Sequence, residues 1–216
     1  MPLESKGMLS PFTIVTCFFT GGLFPLLGSY VALDIGAVPS MNYFYLLLVV
    51  IGGFIAHWIL AHTIHDLYHY EIEKRETFSK RTLKVMLVAS AVFLLSIAVY
   101  LSIKVGWLVM VFSVIGAIVC MYAEGLLHHE SQMAIGAFFL VVGAFYVQAG
   151  TFSLPTTSLL RLLCIALFAF FSQYGWLLFY RLDDYGWSPR VRNKSILLTK
   201  TGLVFLVLYF VIGHLT

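Results

Sequence analysis

The stretch NYFYLLLVVIGGFIAHWILAHTIHDLYHYEIEKRE, residues 42–76, joins an apolar run to a dense group of ionisable side chains. Its first part, residues 42–64, contains no Asp, Glu, Lys or Arg and is long enough to cross a bilayer as a helix. Its last fifteen residues contain four carboxylates and three histidines. Because an ionised carboxylate inside a bilayer is costly, this pattern predicts a transmembrane helix whose polar end faces a cavity within a bundle.

The rest of the sequence has the composition of a membrane protein. Of its 216 residues, 61% are hydrophobic and 11% are charged, whereas soluble globular proteins are roughly half apolar and a quarter charged. This composition predicts an all-α transmembrane bundle, formed as one domain over residues 1–216. Seven apolar segments have about the length that a span needs; they are 11–33, 42–64, 84–103, 106–123, 133–150, 158–180 and 196–213.

The basic residues predict how the chain is oriented. If the seven segments alternate in direction, eleven of the thirteen Lys and Arg residues lie on the side of the N-terminus, and only Lys104 and Arg161 lie on the other. The positive-inside rule then places the N-terminus and the polar loops 65–83, 124–132 and 181–195 in the cytoplasm. The net charge of +3 does not indicate nucleic-acid binding, because the basic residues flank apolar spans.

Polar side chains at the end of the second segment have helical spacing. His62, Asp66, His69 and Glu73 fall within an arc of roughly 60° on a helix. Charges beyond the membrane edge would simply be solvated, but His62 and Asp66 follow the apolar run directly. We therefore expect this polar stripe to face the interior of the bundle.

The same stretch resembles the first aspartate-rich motif of the UbiA superfamily of intramembrane prenyltransferases. That motif reads N-D-x-x-D-x-x-x-D and closes the second transmembrane helix, and HDLYHYEIE, residues 65–73, overlays it without a gap. Asp66 matches the first Asp and Glu73 conservatively replaces the third. His65 stands at the Asn position and His69 at the second Asp. The basic segment that follows, KRETFSKRTL, also resembles that family.

Two further stretches carry this resemblance. Residues 128–154 are similar to a stretch of the dihydroxynaphthoate prenyltransferases, and FPLLGSYVAL, residues 24–33, is similar to the first helix of the family. The likeness of residues 128–154 is carried by Glu130, Tyr146, Gln148 and Gly150.

The family's second motif, D-x-x-x-D followed by a K-T-L-like triplet, is matched in part. RLDDYGWSPRVRNKSILLTKTG, residues 181–202, stands in its place, and either Asp183 or Asp184 fits the first Asp. The second Asp position holds Trp187 or Ser188, which departs from the pattern.

The resemblance implies transfer of an isoprenyl chain from its diphosphate to an aromatic quinone precursor or a lipid acceptor. It also implies Mg²⁺, because carboxylates and phosphate oxygens together hold this hard cation. The implied catalytic residues are Asp66, His69, Glu73 and Asp184. The implied metal ligands are Asp66, Glu73 and Asp184. The implied substrate-binding residues are His65, Lys80, Arg81, Tyr122, Glu130, Gln148, Asp183 and Lys194.

The sequence also departs from the family pattern, and these departures are compatible with a family member that has no catalytic activity. His69 replaces a carboxylate, whereas Mg²⁺ prefers oxygen ligands. Tyr122 is followed by no Lys or Arg within residues 123–132, where the family has a lysine. The family has nine helices and this sequence predicts seven, so a second copy or a partner membrane protein would close the bundle. A silent member would bind a polyprenyl lipid or serve as a scaffold for another membrane enzyme.

A third interpretation is a membrane metalloenzyme with histidine ligands. Imidazole suits zinc, iron, copper and nickel, and spacings of three and four residues place histidines on one face of a helix. The candidate ligands are His62, His65, His69, His128 and His129. Membrane hydroxylases and desaturases require histidine boxes that this sequence has only in part.

Overall fold

The computed structural model describes residues 8–70, 78–121 and 129–215. Within these ranges the chain forms seven helices and no β-strand, which confirms the all-α prediction. The helices are α1 Pro11–Asp34, α2 Tyr43–Tyr68, α3 Lys80–Lys104, α4 Leu108–Met121, α5 Glu130–Ala149, α6 Thr156–Tyr180 and α7 Pro189–Leu215.

Six of these seven helices are long and apolar enough to cross a membrane, and α4 is the exception in the described part of the chain. The described part of α4 has 14 residues, which rise about 21 Å, less than the roughly 30 Å of a hydrocarbon core. By the length and composition of its helices, the chain is a multi-pass membrane protein.

Three helices begin several residues before the apolar segments that predict them. Ser79 caps α3 by accepting a hydrogen bond from the backbone N–H of Thr82 at 3.1 Å. His129 caps α5 in the same way, and Pro189 opens α7 with a backbone already suited to a first helical turn. Hydropathy alone misses these starts because capping groups, rather than apolar side chains, initiate the helices.

Small residues allow the helices to approach closely on one side of the bundle. A Cβ atom placed on Gly28 of α1 would lie 2.1 Å from the carbonyl oxygen of Val141 in α5. On the α6–α7 contact, the hydroxyl of Ser195 donates to the carbonyl oxygen of Gly175 at 2.7 Å. In lipid, the hydrophobic effect does not drive helices together, so their association depends on close packing. Small residues permit that packing. Helices α1, α5, α6 and α7 accordingly share one buried apolar core.

The backbones of α1 and α2 meet at two glycines. A Cβ atom on Gly21 would lie 2.3 Å from the carbonyl oxygen of Gly53, so both positions require glycine. Gly21 lies within a turn of π-helix, Phe19–Leu23 in α1, and Gly53 lies three residues before another, Ala56–Ala61 in α2. The wider π turns therefore occur where these two helices cross.

Contacts between the helices define two ends of the bundle. The side chain of Trp58 donates to the carbonyl oxygen of Met8 at 2.9 Å, so α2 ends near the start of α1. The rings of Phe12 and Tyr180 stack with centroids 6.0 Å apart, which places the end of α6 there too. We call this end, which also includes Glu130, the polar end. The other end, where Asp34 lies, is the opposite end.

Candidate functional site

An apolar cavity of about 350 Å³ lies between α2, α3, α4 and α5, with two residues of α1 completing its wall. Along α5 it extends from Met133 to Val147, a rise of about 21 Å. Its limits at the polar end are Met133 and Leu60, so it begins one helical turn from Glu130 and close to His62. The cavity has the volume of a small-molecule site and runs along the membrane-spanning part of the helices.

The wall of the cavity contains no Asp, Glu, Lys or Arg among the described residues. Its polar side chains are Thr20, His57 and Ser113. The hydroxyl of Thr20 donates to the side-chain oxygen of Gln173 at 3.0 Å, and that of Ser113 donates to the carbonyl oxygen of Val109 at 2.9 Å. The two hydroxyl groups are therefore hydrogen-bonded within the protein. His57 is the ionisable residue among those described in the wall.

Glycines make room for this cavity. A Cβ atom on Gly116 in α4 would meet no other atom within 4 Å, and one on Gly52 in α2 would come no closer than 3.9 Å to its neighbours. Both glycines line the cavity. Their missing side chains therefore leave open space, in contrast to Gly28 and Gly53, where the missing side chains permit backbone contact.

The residues predicted at the end of α2 lie at the polar end. His65 and Asp66 are joined by a contact of 3.3 Å between Nδ1 and Oδ1, and both side chains are mostly buried. The ring of His69 lies 4.7 Å from that of His65. His62 lies with its Nε2 atom 3.5 Å from the thiol of Cys17.

Within the described residues, the predicted polar stripe of α2 is represented by His62 and Asp66. The helix ends at Tyr68, so His69 is the residue that follows the last turn. Glu73, the third position of the motif, lies outside the described residues, as do Tyr122 and His128.

The two basic residues that open α3 face different directions. The Nζ atom of Lys80 lies 5.5 Å above the ring of Tyr70, next to the end of α2. Arg81 is exposed and lies beside Lys84 and Val85, on the outer face of the helix. Of this pair, Lys80 is the one placed beside the polar end of α2.

A buried carboxylate links α5 to the loop between α6 and α7. Glu130 is 6% exposed, and its Oε1 atom accepts hydrogen bonds from Arg181 at 3.0 Å and from the hydroxyl of Tyr185 at 2.5 Å. Arg181 also donates to Asp184 at 2.9 Å. We call these four residues the Glu130 cluster. Asp183, the other candidate for the second motif, is exposed.

Two groups in this loop have shifted pKa values. The hydrogen bond to Glu130, together with burial, raises the pKa of Tyr185 above its usual value. Burial lowers the pKa of Arg181, but its hydrogen bond to Asp184 and the nearby Glu130 charge outweigh this effect, so the pKa is raised. Arg181 therefore stays cationic and Tyr185 stays a hydrogen-bond donor, which keeps the Glu130 cluster intact at neutral pH.

Two more predicted substrate contacts have partners inside the protein. Lys194 donates to the hydroxyl of Tyr174 at 2.9 Å, at the polar end. The side-chain amide of Gln148 pairs with the backbone of Asn42 at 3.0 and 3.1 Å. Because Asn42 precedes α2 and Asp66 lies near its end, Gln148 is about 35 Å from Asp66.

The described residues do not form a site that fits Mg²⁺. Among them, no three His, Cys, Asp or Glu side chains are grouped closely enough to hold a metal ion. The carboxylate of Asp184 is bound by Arg181, and Asp66 contacts His65. Asp66 and Asp184 do lie at the same end of the bundle. Magnesium binding, which the sequence predicts with Glu73 as a third ligand, stays a prediction.

Sequence reasoning missed a charged cluster at the opposite end. Arg161 of α6 pairs with Asp34 of α1, and the hydroxyl of Tyr209 in α7 donates to the same carboxylate. The guanidinium of Arg161 also lies 4.5 Å from the centre of the Tyr209 ring. We call these residues the Asp34 cluster. The signal that could have found it is one Asp and one Arg beside apolar spans, since such charges pair within a bundle.

Comparison with known proteins yields no relative, because no family model, curated protein or solved structure matches this chain.

Proposed function

We propose that this membrane protein binds an isoprenoid lipid, with the apolar chain in the cavity between α2, α3, α4 and α5. The observation that carries this proposal is the cavity itself, which is about 350 Å³ in volume and lined almost entirely by apolar side chains. Phe112 and Phe139 supply aromatic faces to its wall. The sequence resemblance to intramembrane prenyltransferases supports an isoprenoid rather than another lipid.

The polar head group of this lipid would lie at the polar end. The cavity begins there, between Leu60 and Met133 and close to His62, and Lys80 lies over Tyr70, about 15 Å farther along the chain direction of α2. A cation such as Lys80 attracts phosphate oxygens, and imidazole can donate a hydrogen bond to them. This arrangement fits an amphiphile with a chain along the helices and a head group at the membrane surface.

Prenyl transfer is the second candidate function. It is supported by Asp66, which matches the first Asp of the UbiA motif and lies at the polar end with Lys80. In such a reaction, Lys80 would bind the diphosphate, and the apolar wall would exclude water from the allylic cation. Because the described residues do not fit Mg²⁺, we assign no step to a metal. Binding without turnover remains the simpler function, since Arg181 engages both Glu130 and Asp184.

The binding proposal is tested by filling the cavity. Purified protein is titrated with tritiated geranylgeranyl diphosphate in lipid nanodiscs, and Gly116→Phe is compared with Gly116→Ala. Because a side chain at Gly116 enters open space, phenylalanine should displace the ligand while alanine leaves most of the cavity free. Equal affinity in both variants would contradict binding in this cavity.

The same preparation separates binding from transfer. Wild type, Asp66→Asn and Asp184→Asn are incubated with the labelled diphosphate and a panel of phenolic acceptors. A prenylated product that both substitutions abolish supports transfer. Binding without any product, in wild type as in the variants, supports the silent lipid-binding function.

We also propose that the N-terminus and the polar end face the cytoplasm. Eleven of the thirteen basic residues belong to that side, as the positive-inside rule requires of cytoplasmic segments. Single cysteines at Ser79 and Trp107, introduced in a chain whose native cysteines are replaced, report the orientation through a membrane-impermeant thiol reagent. In intact cells only the cysteine at Trp107 should react, and labelling at Ser79 instead would reverse the orientation.

A further inference from the structure

Helices α3 and α4, which form one wall of the cavity, are joined closely at the opposite end. The connection between them consists of residues 105–107. Beside it, Leu101 of α3 and Val109 of α4 are buried in one apolar cluster with Tyr146 and Val147 of α5. Because Leu101, Val109 and Val147 also line the cavity, this cluster closes the cavity at the opposite end.

Away from that end, the two helices pack against different neighbours. A Cβ atom on Gly52 of α2 would lie 3.9 Å from the side chain of Ile97 in α3. A Cβ atom on Gly136 of α5 would lie 2.9 Å from the side chain of Val119 in α4. Helix α3 is therefore held by α2 and helix α4 by α5, so that only their own side chains border the edge between them in the described part of the wall.

Side chains along this edge become more exposed toward the polar end. Two stripes with helical spacing line the cavity here, Ala91, Leu95 and Ala98 in α3 and Met110, Val114 and Ala117 in α4. In each stripe the residue nearest the opposite end is buried or half-buried, and the other two are exposed. Leu95 is 57% exposed and Val114 is 51% exposed, although both line the cavity. The wall of an enclosed cavity would be buried, whereas the rim of an opening combines both properties.

The chemistry of this rim is suited to a hydrocarbon chain. Helix α3 is long and apolar enough to cross a membrane, and the exposed rim residues are alanine, leucine and valine. A charged head group would lose its hydration if it crossed such a rim. Because the exposed part of the rim lies toward the polar end, a head group can stay at the membrane surface while the chain passes between the helices.

We propose that the cavity opens sideways into the bilayer between α3 and α4, and that the apolar chain of a membrane lipid enters through this opening. This inference rests on the proposed lipid binding and adds the route of entry. The head group remains at the polar end, as the proposed function requires, and the chain needs no path through water. The route depends on the apolar rim and not on the identity of the chain.

The test narrows the opening and measures rates. Ala91→Trp adds a large side chain to the rim, and the matched control Ala89→Trp makes the same change at an exposed residue of α3 outside the cavity lining. Association and dissociation of tritiated geranylgeranyl diphosphate are followed in lipid nanodiscs. In Ala91→Trp both rates should fall about fivefold and the Kd should stay within about twofold, because a narrowed opening raises the barrier to passage and leaves the bound state unchanged. Ala89→Trp should behave as wild type does.

Ala117→Trp repeats the test from α4 and should slow both rates in the same way. If either variant only speeds dissociation, its residue belongs to the binding wall and the inference is overturned. If Ala91→Trp instead dissociates a dimer in detergent, a second copy covers this edge, which also overturns it. Unchanged rates in both variants, while Gly116→Phe still blocks binding, would mean that the inference fails and the proposed function stands. Failure of wild type to bind the probe would remove both.

Discussion

The two sides of the bundle use the same kind of residue in opposite ways. On the packed side, formed by α1, α5, α6 and α7, Gly28 and Gly175 allow backbones and side chains of neighbouring helices to touch. On the cavity side, formed by α2, α3 and α4, Gly116 and Gly52 face open space. On the packed side, small residues therefore allow neighbouring helices to touch. On the cavity side, they leave space that no atom of the protein fills. The packed side contains the close helix contacts, and the cavity side contains the open space.

The charges follow the same division. The Asp34 cluster joins α1, α6 and α7 at the opposite end, and the Glu130 cluster joins α5 to the loop before α7 at the polar end. Both clusters belong to the packed side and hold its two ends. The described wall of the cavity contains no such cluster. Substitutions on the packed side should therefore destabilise the fold, whereas those on the cavity side should change binding.

The largest effect is expected from breaking the Asp34 cluster. Asp34→Ala leaves Arg161 without its carboxylate, and the Arg161 side chain is only 14% exposed. Removing one partner of a largely buried ion pair costs about 3–5 kcal/mol. The free energy of unfolding should fall by that amount in mixed micelles.

The double variant Asp34→Leu with Arg161→Met is the control for this prediction. It removes both charges, so it should recover most of the lost stability. If Asp34→Ala and the double variant are equally unstable, the loss comes from packing rather than from a stranded charge.

The next effect contrasts the two classes of glycine directly. Gly28→Leu places a side chain where even a Cβ atom would overlap the carbonyl oxygen of Val141, and such overpacking costs about 3 kcal/mol. Gly116→Leu meets no such contact and gains helix propensity, so it should be neutral or stabilising by up to about 1 kcal/mol. Thermal unfolding of the two variants in the same detergent measures the difference. Equal destabilisation would mean that the two sides are packed alike.

The sequence predicts the seven helices because the bilayer sets the length and the hydropathy that a transmembrane helix needs. Gly21, Gly52 and Gly53 look alike in the sequence, as small residues within apolar segments. In the structure, Gly21 and Gly53 meet each other's backbone, whereas Gly52 borders open space in the cavity. Whether a glycine meets a backbone or a void depends on the neighbouring helix, and one sequence does not show which helices are neighbours.

The candidate site shows the same limit. The polar run at the end of α2 is visible in the sequence, because ionisable residues beside an apolar run are rare. Asp34 and Arg161 each stand out beside an apolar span, but the sequence does not show that they pair, since they are 127 residues apart. His57 lies off the helical arc of His62 and Asp66, and its place in the cavity wall is visible only in the structure.

A smaller effect is expected on ligand affinity, and it should differ between substitutions of the adjacent residues Lys80 and Arg81. Lys80 lies over Tyr70 beside the end of α2, whereas Arg81 is on the outer face of α3. Lys80→Met should weaken binding of geranylgeranyl diphosphate about fivefold, as loss of one charge-assisted contact would. Arg81→Met serves as the matched control and should leave the affinity unchanged. The reverse result would place the head group on the outer face of α3.

The smallest effect concerns the Glu130 cluster and its dependence on pH. Tyr185→Phe removes the hydrogen bond to Glu130 and should cost about 1 kcal/mol, since the side chain of Tyr185 is 39% exposed and solvent weakens the contact. That hydrogen bond raises the pKa of Tyr185 above the usual 10.0. Because the folded pKa exceeds the unfolded one, the stabilisation is complete below pH 10 and is lost as the pH rises through the folded value. The free energies of unfolding of wild type and variant should therefore differ by a constant amount at neutral pH and converge only in alkali. The charged neighbours of Tyr185 are Glu130, Arg181 and Asp184. A difference that disappears below pH 10 would show that Tyr185 is not held by Glu130, and the polar end of the packed side would then be looser than the opposite end.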